Sequence, residues 1–239
     1  LTKDQMVELL NFTGQSGNST RELDLMLKLG FFTGARIETI TGLKIGTLEN
    51  AVSHPKMPGL CYLSVGPGHH PHVPTKFDVQ GQIMVPAELL NELLTYRTDL
   101  RRLKREILAA PEDKDLIFLT RFGRSYSVRD LGRGTAIHRA MVDLRHNAAN
   151  AGIKFAKHFY FHMTRATFGT WLASLLLQQP GAKVVDVLAL VRDAMLHKDE
   201  STTMKYIKFV QESAIKQEVA NKFTECFIGL KTRLGAYRA

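Results

Sequence analysis

The chain has few cysteines, a single tryptophan and no long apolar run, and each shortage removes a class of protein. Two cysteines, Cys61 and Cys226, build no disulfide framework. With no secretion signal recognisable, they point to a reducing, cytoplasmic setting. Two isolated cysteines make no zinc site either, because such sites need clustered ligands at fixed spacing. No apolar stretch approaches the ~20 residues of a membrane span. The richest, Trp171–Leu177, is short and reads as a buried helix. Internal repeats and low-complexity tracts are missing, so repeat architectures and disordered tails are not indicated. The first residue is Leu1, and its neighbours read as the start of a helix, so a chain cut from a longer protein is expected.

What is present is length and positive charge. A chain of 239 residues suffices for one large domain or two small ones with a sizeable core. Lys and Arg number 32 against 23 Asp and Glu, a net charge of +9. That excess favours a polyanion partner through phosphate neutralisation and counter-ion release. Charge alone leaves a nucleic acid and plain solubility equally good readings.

Periodicity divides the chain into a helical start, a strand-rich middle and a helical remainder. Helices are expected over Thr2–Leu10, Arg21–Phe32 and Arg36–Leu43, with Ser19 or Thr20 as N-cap of the second. Leu23, Met26, Leu27 and Gly30 would form the buried face of that second helix. Ile45–Leu48, Leu60–Val65 and Gln82–Val85 read as strands of a small antiparallel sheet between Pro- and Gly-rich connections. Pro86 should open a helix running to about Leu108, and Leu116–Leu119 is a short apolar run. Helices are then expected over Leu131–Gly152, His162–Leu177, Val184–Met195 and Ser201–Asn221, with a tail to Ala239. No linker divides the chain, so residues 1–239 read as one mainly α domain with a small β-sheet.

Three stretches carry chemistry. His162-Met-Thr-Arg165 puts two polar groups at i and i+3, at the edge of the apolar stripe Phe168, Trp171, Leu172, Leu175 and Leu176. A cation at the margin of a core and near a helix N-terminus is awkwardly placed, and an anionic ligand would relieve it. The ordinary alternative is two solvated residues at a helix start. Thr33-Gly34-Ala35-Arg36 places an arginine just after a turn, where its planar fork can grip a phosphate; a surface ion pair is the alternative. In Leu196-His197-Lys-Asp-Glu-Ser-Thr-Thr-Met-Lys-Tyr206, Ser201 or a neighbouring acid can cap a helix carrying Tyr206 in its first turns. A phenol with a pKa near 10 attacks a phosphodiester only with cations and a proton acceptor beside it. Otherwise Tyr206 is one more half-buried structural tyrosine.

The order of these pieces is more telling than any one of them. Thr33-Gly34-Ala35-Arg36-Ile37, Thr75-Lys76 before a strand ending Val85-Pro86, His162-Met-Thr-Arg165 with Phe168, His197, and Thr202-Thr203 with Tyr206 follow one another along nearly the whole chain. In that order they resemble the tyrosine recombinase (phage integrase) family, including its nine-residue offset from the last histidine to the tyrosine. The opening Leu-Thr-Lys-Asp-Gln resembles the usual start of that family's catalytic domain. Two departures stand out. Thr39 occupies a position where the family often has a carboxylate, the acid standing instead at Glu38, and Leu196 occupies one where glycine is common.

The resemblance implies a tyrosine recombinase catalytic-domain fold and a site-specific strand transferase acting on double-stranded DNA. Arg36 and Arg165 would clamp the scissile phosphate, and Tyr206 would attack it and become joined to the DNA 3′ phosphate. Lys76 would protonate the departing 5′ oxygen, His162 would exchange a proton with Tyr206, and His197 would hydrogen-bond the phosphate. No cofactor, metal or ATP is implied. A homo-tetramer on DNA is, and so is an N-terminal core-binding domain that the sequence given does not contain. The alternatives are type IB topoisomerase-like strand relaxation and a non-catalytic DNA-binding module of the same fold.

Other residues invite rival readings. His69-His70-Pro71-His72 lacks an acid or cysteine at ligand spacing, so contact with DNA is preferred to a metal site. Arg101-Arg102 with Lys104-Arg105 reads as the solvated face of a helix. Tyr160 and Tyr237 are rival nucleophiles without the Thr-Thr-x-x-Tyr context. After Tyr206 an apolar stripe runs through Ile207, Val210, Ile215, Val219 and Phe223 to Leu230, either packing on its own domain or docking onto a neighbouring protomer.

Overall fold

The computed structural model describes residues 1–126 and 136–212. Four helices open it: α1 (Lys3–Gly14), α2 (Arg21–Thr33), α3 (Ile37–Thr41) and α4 (Ile45–Glu49). A three-stranded antiparallel sheet follows, β1 (Val52–Ser53), β2 (Leu60–Val65) and β3 (Gly81–Pro86), in the order β1-β2-β3. Then come α5 (Ala87–Arg97), α6 (Leu100–Ile107), α7 (Ala136–Asn150), α8 (His162–Leu177), α9 (Val184–Ala194) and α10 (Glu200–Glu212). The mainly helical architecture with a small antiparallel sheet is the one expected.

α2 is the central helix, packed against α1, α8 and β3. Thr20 caps it, its hydroxyl accepting from the Leu23 amide at 3.2 Å. Burial covers all its faces and not just one, with Leu23, Leu25, Met26, Leu27, Leu29, Phe31 and Phe32 all inside. Each such side chain contributes about 1.5–3 kcal/mol when fully buried. Its polar residues are buried too and therefore paired: Lys28 lies 3.0 Å from Asp24 and 2.8 Å from Glu92.

In the sheet, Cys61 pairs with Val85 and Leu63 with Ile83, so the alternation of β2 turns Cys61, Leu63 and Val65 into the core. A second, smaller core joins α8, α9 and α10 through Phe168, Val187, Val191, Met195 and Ile207. That core fixes where His197 and Tyr206 stand.

Four expectations need correction. Ile45–Leu48 is not a strand but the short helix α4, because four residues alternate too briefly to set a period. The third strand is Val52–Ser53, an exposed edge without alternation. The expected helix from Pro86 to Leu108 is two helices. Asp99 breaks it with extended backbone and caps α6 by accepting from the Arg101 amide at 2.7 Å. α10 begins at Glu200, which places Ser201 inside it and leaves the position before the helix to the neighbouring acid, Asp199.

The fourth correction concerns the basic run. α6 buries Arg102 and Arg105 and leaves Leu100 and Ile107 more than 70% exposed. Glu22, at 0% exposure, explains the inversion: Arg101 and Arg105 each reach it at 2.8 Å, and the Tyr96 hydroxyl donates to it at 2.7 Å. Arg102 donates to the Lys114 and Leu116 carbonyls at 2.8 Å. The stretch Leu131–Thr135, the apolar stripe beyond residue 212 and Tyr237 lie outside the described residues.

Candidate active site

The turn after α2 builds one wall. Gly34 ends that helix in the left-handed region, at φ 64°, which glycine adopts without steric cost, and its amide returns to the Gly30 carbonyl. A side chain there would also collide with Phe168 of α8. The turn releases Arg36 into the first position before α3, half-buried, and its Nη1 donates to the Leu196 carbonyl at 3.1 Å.

Arg165 enters from the first turn of α8 and is 3% exposed. It donates to the carbonyls of Gly34 and Met195. The two guanidinium groups thus come together across a long sequence gap and line one cleft, with Thr39, Thr75 and Leu196. Among the described residues, no carboxylate forms an ion pair with either. Thr39 faces the cleft in place of the family's acid, while Glu38 is exposed. Burial, and then the charge of Arg36, push the Arg165 guanidinium down to about 9. Burial likewise lowers Arg36.

His197 and Tyr206 come from the end of α9 and from α10. The His197 Nδ1 is 2.8 Å from the Thr203 hydroxyl, and its ring stacks on Tyr206 with centroids 5.9 Å apart and planes 5° apart. Gly169 makes room for this, since a side chain on it would meet both Met195 and Tyr206. Burial, followed by the charges of Arg165, Arg36 and His162, pushes the His197 imidazole down to about 4. Burial raises the Tyr206 phenol, and Arg165 and Arg36 oppose that without overcoming it. Tyr206 is therefore a protonated phenol at neutral pH in the DNA-free protein.

His162 opens α8 at the exposed rim of the cleft. Burial and the charges of Arg165, Arg36 and Lys76 lower it, so it is a neutral base at pH 7. Lys76 stands exposed on the loop between β2 and β3, its ammonium 4.9 Å from the centre of the Phe77 ring. The fold accordingly gathers Arg36, Arg165, His197 and Tyr206 closely, with His162 at the rim and Lys76 on a facing loop.

Tyr160 is 60% exposed, lies under the Arg145 guanidinium and is not part of the cleft wall. The three loop histidines are distributed differently from a ligand set: His69 meets Gln80 at 3.3 Å, and among the described residues no group of three metal-ligating side chains is found. Thr203 is a site residue whose partner the sequence did not reveal. Its only signal was its place in the Thr-Thr pair before Tyr206.

Comparison with known proteins bears on the fold. The fold matches XerH site-specific recombinase bound to palindromic difH substrate in a post-cleavage complex, at 19% identity and a TM-score of 0.57. That match covers 88% of this chain and 50% of XerH. It matches the Tn1549 transposon integrase in complex with circular intermediate DNA at 17% identity and TM-score 0.55, over 98% of this chain and 66% of that one. XerA recombinase follows at 16% and 0.53, over 98% and 64%. The chain thus spans about half the length of XerH and under two thirds to two thirds of the others. No curated protein matches the sequence. Among the described residues no helix is long and apolar enough to cross a membrane. The sequence profile of the Phage integrase family matches residues 1–212, and with this fold around it the chain belongs to that family.

Proposed function

We propose that the chain is the catalytic part of a site-specific DNA recombinase that cuts and rejoins double-stranded DNA through a 3′-phosphotyrosine. The observation that carries this reading is a buried Arg165 and a half-buried Arg36 that line one cleft beside the phenol of Tyr206, with no carboxylate in an ion pair with either among the described residues. Partly desolvated cations whose hydrogen bonds among the described residues go to carbonyls are good partners for an anion, and a phosphodiester supplies one.

The steps follow from the groups present. Arg36 and Arg165 hold the non-bridging oxygens and oppose the charge that grows on them in the transition state. The Tyr206 oxygen attacks phosphorus and its proton passes to His162. The arriving phosphate offsets the arginine charge that depresses His162, so the base strengthens as substrate binds. The bond from phosphorus to the 5′ oxygen breaks, and Lys76 gives that oxygen its proton. A Thr203 hydroxyl donating to His197 Nδ1 leaves Nε2–H to donate to the phosphate. A 5′ hydroxyl of a second strand then attacks the phosphotyrosine and releases Tyr206. The bond energy stays in the covalent intermediate, so this sequence of steps needs no ATP. Assembly as a homo-tetramer on paired sites belongs to the same reading.

The test is a pool of duplexes with randomised sequence, each nicked so that cleavage frees a short fragment and traps the adduct. The expected product is a denaturant-resistant protein–DNA complex, which Tyr206→Phe abolishes while non-covalent binding survives. An adduct that persists in the Phe variant would move the nucleophile elsewhere.

A further inference from the structure

The turn that ends α9 does more than hold arginines. Leu196 sits at φ 49°, in the left-handed region that a γ-branched side chain rarely adopts. Its carbonyl accepts from Arg36 and that of Met195 from Arg165, which accounts for the backbone direction. It does not account for a leucine, because glycine would take this conformation more easily.

The side chain has its own contact. Leu196 Cδ2 lies over Gly81, so close that a Cβ on Gly81 would fall 2.4 Å from it. Gly81 begins β3, pairs with Val65, and is where the Lys76 loop rejoins the sheet. Two residues after Leu196, the Lys198 ammonium is 5.9 Å from the Phe77 ring, the same ring that Lys76 approaches at 4.9 Å. The loop itself bends sharply, with Phe77 and Asp78 both left-handed and the Thr75 hydroxyl donating to the Val79 carbonyl at 2.7 Å. The turn 196–198 therefore touches the Lys76 loop at its tip and at its base.

We propose that Leu196 is a positioning residue for Lys76: seated on Gly81, it ties the arginine-holding turn to the loop and sets the lysine's height over the bound phosphate. This rests on the recombinase reading above. Lys76 is otherwise on an exposed loop whose own hydrogen bonds fix its bend but not its distance from Arg36 and Arg165. A contact from the very turn that those arginines grip supplies the missing coordinate. Loss of the seat should weaken protonation of the departing 5′ oxygen and leave phosphate binding intact.

A chemical substitution in the DNA isolates that step. A duplex with sulfur in place of the bridging 5′ oxygen releases a thiolate, which departs without being protonated. With the full chain and a duplex sequence recovered from the adduct pool, Leu196→Ala is expected to slow adduct formation on the oxygen duplex by roughly tenfold to a hundredfold. On the sulfur duplex its rate should equal that of the unaltered protein. Gly81→Ala pushes the Leu196 side chain off its seat from the strand side, with the residues of the turn unchanged, and should give the same split. Equal slowing on both duplexes, or none on either, by these variants overturns the proposal. Failure of the unaltered protein to form any adduct, oxygen or sulfur, would instead overturn the recombinase reading itself.

Discussion

Among the described residues, two of the sites that bury an arginine treat its charge in opposite ways. At Glu22, Arg101 and Arg105 meet a fully buried carboxylate at 2.8 Å. Burial alone would raise the Glu22 carboxyl, yet the Arg101 hydrogen bond and the Arg105 charge hold it below its ordinary value. The hydrogen bond to Glu22 in turn raises Arg101. In the cleft, the hydrogen bonds of Arg165 and Arg36 among the described residues go to carbonyl oxygens, Glu38 acts on Arg36 only from the exposed side, and burial lowers both. The first site is electrically closed and holds α2 to α6. The second is open, and the same side chain becomes a receptor for an anion. Burial of an arginine does not tell structure from function; the presence or absence of a carboxylate beside it does.

The largest effect is expected where the closed site is opened. Glu22→Gln keeps the shape and a hydrogen-bond acceptor for Tyr96 but removes the counter-charge from two arginines, one of them buried. Breaking a buried pair in this way typically costs about 3–5 kcal/mol. Urea unfolding should show that loss, while adduct formation by the protein that remains folded is unchanged. A loss below about 1 kcal/mol would put Glu22 in the class of surface pairs, contrary to its 0% exposure.

The reverse change belongs to the open site. Arg165→Gln removes a desolvated charge that has no carboxylate partner among the described residues, so the relief of burial offsets the hydrogen bonds lost to Gly34 and Met195. Stability should stay within about 1 kcal/mol of the starting protein. Adduct formation should fall about 10²–10³-fold, the usual consequence of losing a donor aimed at transition-state charge. If Arg165→Gln unfolds the protein as readily as Glu22→Gln does, the contrast between the sites disappears.

The same contrast explains what could be read in the sequence. Arg36, Arg165, His197 and Tyr206 were legible because each sits in a short box whose neighbours, such as Gly34 and the Thr202-Thr203 pair, are local. The role of the α6 arginines was not. Glu22 stands 79 residues from Arg101, and nothing in Arg101-Arg102-Leu-Lys-Arg105 marks it as buried. For the same reason α2 promised one apolar face, while its Asp24 and Lys28 are inside, paired with each other, and Lys28 also reaches Glu92 on α5. α8, with its long apolar stripe, stands at the expected residues. Ile45–Leu48 was too short for its period to discriminate. Leu196 appeared as an oddity, and only its contact with Gly81 gives that oddity a use.

The smallest expected effect separates the two sites by pH. His197 is pushed down to about 4, mainly by burial and then by Arg165, Arg36 and His162, against an ordinary value of 6.5. Between those values the unfolded chain binds a proton on this ring that the folded protein does not. Stability is therefore full above pH 6.5, falls as the pH drops towards 4, and gains no further slope from this group below that. Glu22 works in the next window: its carboxyl lies below its ordinary 4.5, so its contribution is present above that value and is lost only as the pH falls further. His197→Asn should flatten the stability curve between pH 6.5 and 4, leaving the smaller slope that His162, also lowered, contributes. Sulfate in place of chloride at equal ionic strength should flatten it in part in the unaltered protein, because an oxyanion on Arg36 and Arg165 offsets the charges that add to the effect of burial on His197. Thermal unfolding across that pH range reads both effects. A variant that loses stability as steeply as the starting protein would mean that His197 is not held neutral in the folded protein.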